Sequence, residues 1–68
     1  MALSVDAKRI LIEQEQARWE RGLYLLEVRA RVFKKIGDDA GYKGVVRDME
    51  RHQQALDALA EELNGLED

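Results

Sequence analysis

A chain of 68 residues makes one small domain at most, near the size at which a single core barely offsets the entropy lost on folding. With no Cys and a single His, neither a disulfide nor a structural zinc can supplement that core, which leaves oligomerisation or a heterologous partner as the remaining support. The formal charge of −3 argues against nucleic acid as the main partner, while 46% hydrophobic and 37% charged residues without Pro fit a helix-rich interaction protein and not a disordered one.

The opening MALSVDAKRI has no apolar core of the signal-peptide type, and no window approaches the run of about 20 apolar residues that spans a bilayer. A cytoplasmic protein without membrane insertion is expected. Ser4 is placed to cap a first helix and Asp6 suits its positive end. Arg31, Lys34 and Lys35 then fall where cations favour a helix C-terminus, and Gly37 supplies a left-handed stop. Helix 1 is predicted over about residues 5–36, with a turn over about 37–39. Asp38 can cap helix 2, predicted over about 39–63, ahead of the stop signal Asn64-Gly65, with Leu66 to Asp68 continuing or fraying. Gly41 and Gly44 each weaken its first turns by about 1 kcal/mol relative to Ala.

Seven-residue spacing joins the two elements. Tyr42, Met49, Leu56 and Leu63 recur at that interval, with Val45, His52, Leu59 and Leu66 interleaved, giving an a/d seam. Helix 1 carries a matching seam of Ile12, Gln16, Trp19, Leu23, Leu26, Ala30 and Phe33. Folding the chain back at the turn sets Phe33 on Tyr42, Leu26 on Met49, Trp19 on Leu56 and Ile12 on Leu63, as an antiparallel hairpin requires. Residues 1–35 hold eight basic and five acidic groups and residues 36–68 three basic and nine acidic, so the arms attract. The expected fold is all-α: one domain over 1–68, an antiparallel, coiled-coil-like two-helix hairpin, completed into a four-helix bundle by dimerisation or by a partner protein.

Helix 1 is too apolar for that hairpin alone. A second stripe of Leu11, Gly22, Leu25, Val32 and Ile36, with Arg29 among them, lies about 110° from the seam, and Ile10, Ala17, Tyr24 and Val28 lie further round. Only the sector of Glu13, Glu20, Glu27 and Lys34 is cleanly polar. Contiguous exposed apolar surface of this kind marks a protein interface, so the second stripe is predicted to meet another chain, either a second copy or a larger helical partner. Gly22, lacking a side chain, would let that partner approach closely.

Reactive chemistry is thin. His52 occupies a seam position near Trp19 and Gln16, where a polar layer that fixes register explains it better than a metal ligand or pH switch. Glu13, Glu20 and Glu27, like Asp57, Glu61 and Glu62, read as solvated helix faces with neighbours such as Glu27 with Arg31 and Asp48 with Arg51. Ser4 is the sole Ser and Thr is absent, so no nucleophile has a base, and GDDAGYKG (37–44) matches neither phosphate-binding pattern. Neither enzymatic activity nor a cofactor or metal is expected. The competing reading is a nucleic-acid-binding hairpin dimer that uses Arg29, Arg31, Lys34, Lys35, Lys43 and Arg47 at the turn end, where Asp38, Asp39 and Asp48 dilute the patch.

The turn Gly37-Asp38-Asp39-Ala40-Gly41-Tyr42 and the seam segment Gln54-Ala55-Leu56-Asp57-Ala58-Leu59 together resemble the small helical-hairpin co-chaperones of type III secretion needle subunits, which share a G-D-x-x-x-Y turn and an Ala/Leu-containing second helix. The resemblance implies a cytoplasmic hairpin that docks on a helical-repeat chaperone, the pair keeping a needle subunit from polymerising early. With or without that likeness, the expected function is a non-enzymatic protein–protein interaction module, self-associating or serving as a co-chaperone or adaptor.

Overall fold

The structure, a computed structural model, describes residues 2–66. It consists of two helices, α1 (Val5–Ile36) and α2 (Asp39–Gly65), packed against each other as an antiparallel hairpin. Their ends follow from local chemistry. Ser4 has extended backbone, and its Oγ accepts from the Ala7 N–H at 3.1 Å, satisfying one of the orphan donors of the first turn of α1. At the other end Gly37 takes φ 75° and ψ 23°, a left-handed conformation that costs a residue with a Cβ roughly 1–2 kcal/mol. There the Gly37 N–H donates to the Lys34 carbonyl at 3.3 Å and the Asp38 N–H to the Phe33 carbonyl at 2.9 Å, closing α1 with paired C-terminal bonds.

Only Gly37 and Asp38 separate the helices. Asp38 serves both: its backbone completes the stop of α1, and its Oδ1 accepts from the Gly41 N–H at 2.9 Å to open α2. Tightness of this turn depends on Gly41. A Cβ there would lie 2.8 Å from Phe33 Cδ1 and 2.7 Å from Asp38 Oδ2, so its absence lets the Phe33 ring and the capping carboxylate share one space. Lys34 completes the turn end, its Nζ 5.3 Å from the centroid of the Tyr42 ring.

At its far end α2 departs from the expected stop. Asn64 and Gly65 are absorbed into the helix, which is capped at Leu66 in right-handed backbone; Gly37 is the only described residue with positive φ. An Asn-Gly pair ends a helix only if Gly adopts the left-handed state, and here the Leu66 N–H reaches the Leu63 carbonyl at 3.2 Å without it.

Every described seam residue from Ile12 to Phe33 and from Tyr42 to Leu66 is buried or half-buried. Burial is nevertheless shallow. Leu26 and Val45, at 6% and 7% exposure, are the only described residues that are buried, and neither is sealed completely. The molecule measures 52 × 16 × 15 Å, and its radius of gyration is 15.8 Å, against roughly 11 Å for a compact chain of this length. Its surface of 5465 Å² exceeds by about a quarter the roughly 4,400 Å² of a compact 7.8 kDa monomer.

Candidate protein interface

Two helices in contact bury one stripe each, and α2 has only one apolar stripe to bury. Its outward residues, Lys43, Arg47, Glu50, Gln54, Asp57 and Glu61, are polar and exposed. α1 differs. Ile10, Leu11, Tyr24, Leu25, Val32 and Ile36 stand between 49% and 67% exposed, a range more typical of surface lysines than of aliphatic side chains. Leu3, ahead of α1, and Val5, its first residue, are exposed for another reason: they lie beyond the level of the last described residue of α2 in the hairpin register.

The exposed apolar residues lie on the outward side of α1. Seven-residue spacing links Ile10, Ala17 and Tyr24, and likewise Leu11, Arg18, Leu25 and Val32, while Val28 bridges Tyr24, Leu25 and Val32 at three and four residues along that side. Midway along it Ala17, Glu20, Arg21, Tyr24 and Leu25 enclose a shallow apolar depression. Ala17, Glu20, Arg21 and Tyr24 are related as i, i+3, i+4 and i+7, the four-residue hole that receives a single side chain from a facing helix in knobs-into-holes packing. Small Ala17 leaves the hole open.

Of the stripe predicted to meet another chain, Leu11, Leu25, Arg29, Val32 and Ile36 are exposed, but Gly22 is not part of it. A Cβ on Gly22 would fall 2.8 Å from His52 Nε2 and 3.0 Å from His52 Cδ2. The close approach that Gly22 permits is therefore made by α2 of the same hairpin. His52 is held there from two sides. Its Nδ1 lies 2.8 Å from the Asp48 carbonyl, a bond in which Nδ1 carries the proton and donates, and its ring meets Trp19 edge-on at 4.9 Å between centroids. The ring thus leans across the side of the seam onto Gly22, and a shallow cleft beside it is lined by Glu15, Arg18 and Trp19.

Among the described residues no group of three or more His, Cys, Asp and Glu side chains is placed to hold a metal ion. No helix among the described residues is long and apolar enough to cross a membrane. The turn-end cations Arg29, Arg31, Lys34, Lys35, Lys43 and Arg47 are all exposed, interspersed with exposed Asp38, Asp39 and Asp48. The ion pair formed between described residues is Arg9 with Asp6 at 3.3 Å; neither Glu27 with Arg31 nor Asp48 with Arg51 closes to that distance. Attraction between the arms is consequently a diffuse field and not a set of bonds between described residues, as solvated side chains on a helix surface allow. Glu13, Glu20 and Lys34 are exposed along the polar edge of α1, and Glu27 in the same column is half-buried.

Compared with known proteins, the chain matches no protein-family model, no curated protein and no solved structure.

Proposed function

We propose that this chain is a non-enzymatic protein–protein interaction module whose outward α1 face is covered by another chain. One observation carries the reading: the hairpin buries only Leu26 and Val45 among its described residues while leaving six large apolar side chains of α1, from Ile10 to Ile36, about half exposed or more. Covering each would contribute roughly 1 kcal/mol, half the value of complete burial, and the sum is comparable to the whole stability of a small domain. A stiff rod with one unsatisfied face suits a co-chaperone or adaptor that lends a helix to a larger helical partner. Within that class, the Gly37-Asp38 turn and the Ala/Leu seam of α2 favour a co-chaperone of the type III secretion needle-subunit kind.

Leu25→Glu tests the reading. The side chain is 57% exposed, so the isolated chain keeps its helicity in circular dichroism, while the complex with its partner chain weakens by roughly tenfold or more in sedimentation or light scattering. An unchanged complex would show that this face is not the interface.

A further inference from the structure

The outward face of α1 is predominantly cationic as well as apolar. The ionisable groups set among its apolar residues are Arg18, Arg21, Arg31 and Lys35, all exposed, and the one carboxylate that borders the depression over Ala17 is Glu20, although the whole chain carries a net charge of −3. Acidic residues of α1 are confined to its flanks, with Glu13, Glu20 and Glu27 in one column and Glu15 on the opposite side. On the basis that this face is an interface, we infer that its occupant is an amphipathic helix of a different protein, with carboxylates on its apolar stripe opposite Arg18, Arg21 and Lys35.

A second copy of the chain fits less well. A two-fold interface sets the same patch against itself, so its four cations would be doubled against only the bordering Glu20 of each copy, and like charges opposed across an interface disfavour pairing. An anionic lipid surface fits less well for a different reason. Helices that lie in a bilayer interface keep an uninterrupted apolar side down and place cations along its margins. Here Arg21 and Lys35 occupy the mid-line of the face, directly between Ile10, Tyr24 and Leu25, Val32, and would be driven into hydrocarbon. The four-residue hole over Ala17 also suits one protruding side chain of a helix, which a lipid surface does not offer.

The test measures binding of the full-length chain to two synthetic amphipathic helices with the same leucine stripe, one carrying Glu and one carrying Lys at positions within that stripe. Vesicles of phosphatidylcholine with phosphatidylserine, and sedimentation of the chain alone, run in parallel. The expected result is binding of the Glu helix at least roughly tenfold tighter than the Lys helix, weakening with salt, and reversal of that preference by Arg21→Glu with Lys35→Glu. Circular dichroism of the double variant establishes that it is folded. Equal binding of both helices, vesicle binding without peptide binding, or a homodimer that Leu25→Glu disrupts would each overturn the acidic-helix partner while leaving the interface in place. A chain that stays monomeric and binds none of these probes would overturn both the partner and the interface.

Discussion

Gly22 and His52 are the pair in which a single atom decides the packing. Removing a side chain at mid-helix costs about 1 kcal/mol of helix propensity, and α1 bears that cost at Gly22 because the His52 ring rests where a Cβ would be. The ring cannot retreat freely, since its Nδ1 is bonded to the Asp48 carbonyl and its edge is against Trp19. Gly22→Ala should therefore stabilise the chain by about 1 kcal/mol when His52 is replaced by Ala, and by much less, or not at all, when His52 is present. Thermal or urea unfolding of the four chains of this cycle should give a coupling on the order of 1 kcal/mol; additive effects would show that the two residues do not press on each other. The spacing of residues placed Gly22 on an outward stripe because a helical wheel gives an azimuth and no reach. It could not tell that the largest polar side chain of the facing seam, one level away, would lean over the flank onto the one position without a Cβ.

At the scale of the helices, two glycines in the first turns of α2 have opposite uses. Gly44 has nothing within 4 Å of an added Cβ, whereas Gly41 has the Phe33 ring and the Asp38 carboxylate inside 3 Å. Gly44→Ala should raise stability by about 1 kcal/mol, and Gly41→Ala should lower it despite the same gain in propensity, because both the cap and the ring must move. Equal shifts in the unfolding midpoint would mean that Gly41 has no packing role. Composition alone weighed the two alike. Helix starts and stops at Ser4, Gly37 and Asp38 were legible because capping involves bonds between residues three to five apart, wholly within the local sequence. The Asn64-Gly65 signal misled because such a pair permits a left-handed stop without requiring one. The seam was legible from its period, and the over-apolar circumference of α1 foretold its exposed apolar face, but the cationic excess of that face emerged only once the hairpin showed which columns, with Arg18, Arg21 and Lys35 among them, stay outside it.

For the molecule as a whole, shape and stability are one question. A rod 52 Å long and about 15 Å across cannot enclose a core, and the surface it presents beyond that of a compact monomer is the area another chain can cover. The two-residue turn has a further consequence, kinetic in kind. Each layer of the hairpin closes a longer loop than the layer nearer the turn, so the entropy of closure rises steadily from Phe33 and Tyr42 toward Ile12 and Leu63. Leu26 and Val45, the buried core residues, also belong to the half nearer the turn. The hairpin should zip from Gly37 outward and fray from its open end. Native-state amide exchange on the isolated chain would then slow progressively toward the turn along both helices, and uniform protection from end to end would mean that it opens only as a unit.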